Sequence, residues 1–201
     1  MKTRSVAHSG SASLLATHQV LRNTYMLLGL TLLFSALTAA FAVMVQAPPL
    51  GFLGLIGMFG LLFLVQATAN SGFGLISTFL FTGFMGYSLG PVLNMYLLNF
   101  TNGSALIMTS LGATGVIFFA LSAYVLTTRQ DFSYMGGFLF AAVMVAFMVG
   151  LGAMLFHAPV LQLLVSGVFA LISSGLILFH TSQIIHGGER NYIVATISLY
   201  V

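Results

Sequence analysis

The chain has 201 residues, of which 59% are hydrophobic and only 3% are charged, and its net charge is +3. A soluble globular domain carries about 25% charged residues, so five Lys and Arg with two Asp and Glu cannot cover a water-facing surface of this size. The five basic residues are scattered and form no stripe of the kind that binds nucleic acid. The absence of cysteine excludes disulfides, thiol catalysis and cysteine-based metal sites. The composition predicts an integral membrane protein.

The N-terminal segment differs in character from the rest of the chain. Residues 1–22 contain Ser, His, Gln and basic residues, and they lack the short apolar core followed by a cleavage site that defines a secretory signal peptide. We therefore expect a polar tail over residues 1–22 and a single bundle of transmembrane helices over residues 23–201. The first apolar segment should remain in the protein as a membrane span.

Six full spans and one incomplete span are predicted after the tail. Each of the first six holds about 20 or more mostly apolar residues, enough to cross a hydrocarbon core of ~30 Å. A segment that spans the membrane must satisfy its own backbone hydrogen bonds, which a helix does. A β-barrel would need short segments of alternating polarity, whereas these runs are continuously apolar. The runs therefore predict helices. The spans are Thr24–Val45, Leu50–Ala69, Phe73–Leu98, Ser104–Thr127, Phe132–Phe156, Pro159–Ile185 and Tyr192–Val201.

The fold class that follows is an all-α membrane protein, a bundle of seven transmembrane helices. The last predicted helix would rise only ~15 Å at 1.5 Å per residue, so we expect it to be incomplete in this sequence. Short loops between the spans indicate antiparallel neighbours embedded in the lipid bilayer. With the N-terminus in the cytoplasm, every basic residue falls on the cytoplasmic side, as the positive-inside rule requires; these residues are Lys2, Arg4, Arg22, Arg129 and Arg190.

Small residues recur within the spans and predict close helix packing. Glycine occupies every third position from Gly51 to Gly60, and Gly86 and Gly90 form a small-xxx-small pair beside Pro91. Small residues let transmembrane helices approach closely, either inside one bundle or across a homo-oligomer face. Pro91 removes one backbone hydrogen bond, so Gly86, Gly90 and Pro91 are candidates for a hinge, with a static kink as the alternative.

Ionisable groups inside a membrane mark functional sites, and this sequence has few. Its two acids, Asp131 and Glu189, fall in predicted cytoplasmic loops, which excludes an intramembrane aspartyl protease. Asp131 is expected to cap the start of the fifth span and to pair with Arg129. With no acid–base pair or metal cluster in the spans, we predict neither an enzyme nor a cofactor.

His180 is the clearest titratable side chain within a span. Together with Thr181 and Gln183 it lies in the most polar stretch of the sixth span. A histidine titrates near pH ~6.5, so these residues are candidates for a pH-sensitive gate or an ion site. The alternative is a neutral histidine hydrogen-bonded inside the bundle. Metal binding is not predicted, because His180 and His186 are six apart and two ligands on one helix face need a spacing of four.

Four stretches resemble the Bax inhibitor-1 (transmembrane Bax inhibitor motif) family. The resemblance is closest to a proteobacterial branch of modulators of the FtsH protease. It implies seven helices, a location in the bacterial inner membrane, association with the FtsH quality-control protease and SecY as a second contact. The matching stretches are residues 17–25 (THQVLRNTY), 83–91 (GFMGYSLGP), 122–133 (SAYVLTTRQDFS) and 181–189 (TSQIIHGGE).

The same resemblance implies an alternative function. Other family members are pH-sensitive calcium leaks that use one acid late in the sixth helix and a second in the seventh. In this chain the first of those positions matches His180, and the second would follow Val201. The principal prediction is thus a membrane modulator that slows FtsH-dependent degradation, and the alternative is a pH-sensitive calcium or proton leak.

Overall fold

A computed structural model describes the backbone of residues 5–201 and the side chains of residues 17–201. The described chain forms seven α-helices, which confirms the all-α class. They are α1 (Ser5–Met44), α2 (Gly51–Thr68), α3 (Gly74–Asn99), α4 (Gly103–Thr128), α5 (Gly136–Leu155), α6 (Pro159–Ile185) and α7 (Tyr192–Tyr200), with a 3-10 turn at Ser133–Met135 before α5. Six of the helices are long and apolar enough to cross a membrane.

The first helix begins earlier than the sequence predicts. Its backbone is helical from Ser5, whereas the first span was expected to begin at Thr24. The segment before Thr24 contains Leu and Ala, which favour a helix in water as well as in lipid. The helix can therefore continue beyond the apolar span. The part of α1 that is apolar enough to span a membrane is Thr17–Met44. The side chains of most of the expected tail, residues 1–16, lie outside the described residues.

Polarity is distributed as expected for a protein in lipid. The exposed side chains include large apolar ones such as Leu37 and Phe63, whereas the buried polar side chains are all Ser or Thr. A hydroxyl can be buried in a helix because it donates to the carbonyl one turn back. Thr31 donates to the Leu28 carbonyl oxygen at 3.0 Å, and Thr78 donates to that of Gly74 at 2.7 Å.

The described chain divides into two compact units. The first contains the chain up to Ala113, with α1, α2 and α3, together with Glu189–Val201, which includes α7. Its core is formed by buried side chains from α1, α2, α3 and α7: Leu27, Val65, Ala69, Phe81, Ile193 and Ile197. A Cβ atom added at Gly86 would meet the Ser35 backbone, and one at Gly90 would meet Ala42. These two glycines therefore allow α3 to lie directly against α1.

The second unit, Thr114–Gly188, contains the remainder of α4, the 3-10 turn, α5 and α6. Leu139, Ala146 and Ile172 form its buried core between α5 and α6. The organisation of residues 23–201 as one bundle stays a prediction.

Three helices end with the same backbone motif. The residue after the last turn adopts a left-handed conformation at Gln46, His157 and Gly187. The following amide then donates back across the turn, as in Gly188 N to the Gln183 carbonyl oxygen at 2.9 Å. This pattern is a Schellman-type cap, which satisfies carbonyl groups that the helix leaves free. At the end of α6 the cap uses glycine, for which a left-handed φ carries no steric cost.

Candidate functional site

The main polar cluster of the second unit surrounds Ser182, near the C-terminal end of α6. The Ser182 side chain is fully buried. Its Oγ accepts a hydrogen bond from the backbone N–H of Phe132 at 2.9 Å. The same Oγ lies 3.4 Å from the Gln130 carbonyl oxygen and 3.4 Å from Asp131 Oδ1, and its hydroxyl can donate to either. One hydroxyl therefore ties α6 to three consecutive residues of the α4–α5 loop. We call this arrangement the Ser182 clasp.

His186 extends the clasp by one helical turn. Its Nδ1 lies 3.0 Å from the Ser182 carbonyl oxygen and 3.3 Å from Ser182 Oγ. Because a carbonyl oxygen can only accept, the shorter contact requires a proton on Nδ1.

Asp131 has a different role from the predicted one. Helix α5 begins at Gly136 and takes no side-chain cap, so the expectation that Asp131 caps the fifth span is wrong. Its Oδ1 instead accepts from the Ser133 N–H at 2.8 Å. This contact over two residues closes an Asx turn, a short-range alternative to the start of a helix. Hydrogen bonds from the side chain and backbone of Ser133 lower the pKa of the exposed Asp131 carboxyl below its ordinary value.

Arg129 begins this loop with a left-handed backbone, φ 51°, directly after α4. Its N–H still donates to the Val125 carbonyl oxygen at 2.8 Å. This turn ends α4 and leads directly to Gln130, the first loop residue that contacts Ser182. The pairing of Arg129 with Asp131 stays a prediction.

The three candidates on α6 do not converge on one point. His180 is half-buried, with its ring edge-on to that of Phe179 at 5.2 Å. Thr181 is fully buried. The Gln183 amide is directed to the loop, where its Nε2 lies 3.5 Å from Ser133 Oγ. The ion-site and pH-sensing roles stay predictions.

Ser182 was not among the predicted site residues, although it makes the most contacts to the loop. The sequence does contain a pattern that indicates a polar pair here, because Ser182 and His186 are four residues apart and therefore share one face of α6. The partner side of the clasp could not be found in this way, because Phe132 and Ser182 are separated by 50 positions.

The hinge candidates form part of a continuous helix. Helix α3 runs from Gly74 to Asn99 with Pro91 inside it. Gly86 and Gly90 are buried, and both are close to α1. This geometry favours a packing role for the two glycines, while the hinge role stays a prediction.

One cavity of the second unit is almost entirely apolar. It has a volume of about 640 Å³, lies between α5 and α6, and is lined by apolar side chains such as Val149, Val168 and Ile172. No group of three or more metal-ligating side chains occurs among the described residues. The polar side chains that join α6 to the α4–α5 loop lie instead at the Ser182 clasp and at Gln183.

These features define a multi-span helical membrane protein with a lipid-facing apolar exterior and a hydroxyl-rich interior. Residues 17–201 match the family model described as inhibitor of apoptosis-promoting Bax1. The chain belongs to this family, which confirms the resemblance found in the sequence.

Several bacterial proteins are similar to most of the chain. The Escherichia coli K12 protein named modulator of FtsH protease YccA is 56% identical over 191 residues, covering 94% of this chain and 86% of the relative. The same match in a second Escherichia coli strain is named inner membrane protein YccA. An uncharacterized protein of Pseudomonas aeruginosa is 54% identical over 183 residues, 90% of this chain and 82% of that protein. The similarity and the apolar helices identify a multi-pass inner-membrane protein.

Proposed function

We propose that this chain is an inner-membrane modulator that associates with the FtsH protease and slows the degradation of membrane substrates. The observation that carries the proposal is 56% identity with the modulator of FtsH protease of Escherichia coli, spread over 94% of the chain. A contact with SecY is the second part of the proposal, and it rests on the family resemblance alone.

The orientation we propose places the N-terminus in the cytoplasm, since all the basic residues then fall on one side. Successive spans alternate in direction, so the α4–α5 loop and the α6–α7 link both face the cytoplasm. The Ser182 clasp and the exposed Asp131 lie at that end of the second unit. This is the face that a protease acting from the cytoplasm can reach.

The proposed role is regulatory and not catalytic. The relatives that have descriptive names are named as a modulator or as membrane proteins, not as enzymes. A homo-oligomer is compatible with the glycines of α4, because a Cβ added at Gly112 or Gly115 would meet no atom within 4 Å. Open small-residue positions of this kind permit another helix to approach.

The test is the rate at which purified FtsH degrades a membrane substrate in liposomes, with and without this protein. We expect the protein to slow degradation of the membrane substrate in proportion to its density in the bilayer. A soluble unfolded substrate, degraded in parallel, should be unaffected, because the proposed action is in the membrane. An unchanged rate for the membrane substrate, in an assay where the protease is active, would remove the proposed function.

The second candidate is a pH-sensitive calcium or proton leak. Family membership supports it, and His180 lies half-buried within the membrane-spanning part of α6. A protonated imidazole at this depth would repel cations, so its titration would change conduction. Thr181 and Gln183 follow it on the same helix.

Flux into proteoliposomes between about pH 5 and pH 8 distinguishes this candidate. We expect the pH dependence to flatten in His180→Ala and to persist in His157→Ala. His157 is a suitable control because it is exposed in the loop between α5 and α6. Identical curves for the wild type and His180→Ala would exclude His180 from the mechanism.

A further inference from the structure

Helix α7 is held in the first unit by polar contacts at three levels. At its start, Asn191 Nδ2 donates to the Ala69 carbonyl oxygen at 3.0 Å and to Asn70 Oδ1 at 2.8 Å, in the α2–α3 loop. One turn into the helix, Thr196 Oγ1 lies 3.3 Å from the Thr24 carbonyl oxygen of α1. At its far end, the Tyr200 hydroxyl reaches both α1 and α3.

The Tyr200 contact joins three helices through one oxygen atom. It lies 2.7 Å from Ser35 Oγ and donates to the Thr82 carbonyl oxygen at 3.3 Å. Its ring packs edge-on against fully buried Phe81, with ring centroids 6.1 Å apart. Ser35 and Thr82 are themselves buried, at 7% and 0% exposure. The hydroxyl of Tyr200 therefore completes a buried polar layer with Ser35 and Thr82.

Polar contacts contribute to the docking of this helix together with the close packing of Ile193 and Ile197. Lipid tails solvate an apolar helix face about as well as another helix does, so apolar burial alone does not hold α7 in place. Interhelical hydrogen bonds and close packing then determine where the helix docks. Among the described residues of α7, Tyr200 contacts two other helices through a single hydroxyl.

We infer that Tyr200 is a latch, a positioning residue whose hydroxyl keeps α7 docked on α1 and α3 and keeps water out of the Ser35–Thr82 layer. Release of the hydroxyl leaves Ser35 Oγ and the Thr82 carbonyl oxygen facing a gap beside α7. The latch is a conformational control within the first unit. It is independent of the proposed modulator function, and either can fail without the other.

The test uses the absence of cysteine from the chain. Ala195→Cys places a single thiol on α7 at a position that is 2% exposed when the helix is docked. Maleimide reacts with the thiolate, which forms where water reaches the sulfur, so the labelling rate of the full chain in liposomes reports opening of α7. Adding Tyr200→Phe, which keeps the ring and removes the hydroxyl, should accelerate labelling about three- to tenfold.

Two further variants make the result specific. Ser35→Ala removes the partner oxygen and should also accelerate labelling, and the double variant should add little beyond either single change. Tyr192→Phe makes the same chemical change at the other end of α7, outside the bridge, and should alter the rate by no more than about twofold. Unchanged labelling in Tyr200→Phe would overturn the latch. Equal acceleration in Tyr192→Phe would also overturn it, because the effect would then not depend on the bridging hydroxyl.

Discussion

Gly86→Ala is expected to destabilise the first unit, although alanine is the better helix former. A Cβ atom at this position would fall on the Ser35 carbonyl group and on Thr38 Oγ1 of α1, with the Ser35 carbonyl carbon only 2.8 Å away. Backbone atoms cannot rotate aside as a flexible side chain can, so α1 and α3 would have to separate. Overpacking costs about 1–3 kcal/mol, and we expect the upper part of this range here because the clash is with backbone atoms. This cost exceeds the roughly 1 kcal/mol that alanine gains over glycine in a helix.

The measurement is the free energy of unfolding in mixed micelles, with Gly60→Ala as the matched control. Gly60 lies in α2, and a Cβ added there meets no atom within 4 Å. This control should be neutral or slightly stabilising, because only helix propensity changes. Equal stability of the two variants would show that α3 does not approach α1 as closely as the structure indicates. The same comparison bears on the hinge candidates, since a packing role predicts a loss of stability at Gly86 and Gly90.

Ser182→Ala is expected to release the α4–α5 loop from α6. The change leaves the Phe132 N–H without its acceptor and removes the contacts to Gln130 and Asp131. A fully buried donor left without a partner costs about 1–3 kcal/mol, and because the Phe132 N–H is only partly buried we expect a loss at the lower end of this range. The loss is local, because α5 and α6 keep their apolar contacts through Leu139 and Ile172.

Hydrogen exchange at the Phe132 amide measures this release directly. We expect faster exchange in Ser182→Ala and wild-type exchange in Ser166→Ala. Ser166 is a matched control because it also lies on α6 but is exposed, and it donates to the Leu163 carbonyl oxygen of its own helix. If the Phe132 amide remained equally protected in Ser182→Ala, the clasp would not be what holds the loop.

Local composition determined the class of protein and the number of helices. A long run of apolar residues without charge can be stable only as a membrane helix, and this holds whatever its neighbours are. The bounds of α2, α3, α4 and α6 were therefore predicted to within one or two residues. The two larger errors, at the starts of α1 and α5, arose where the chain leaves the apolar runs, because propensity and turn chemistry decide the structure there.

The contacts that define the candidate site required the tertiary structure. Ser35 and Tyr200 are separated by 165 positions and Phe132 and Ser182 by 50, and no periodicity in the sequence connects them. The same is true of the glycines, since Gly86 lies against α1 while Gly60 meets nothing. Composition identifies small and hydroxyl-bearing residues as packing positions, but the rotation and approach of each helix decide which of them face a partner. The sequence alone thus determined the membrane fold, and the docking of the helices decided which of its many similar residues make the specific contacts.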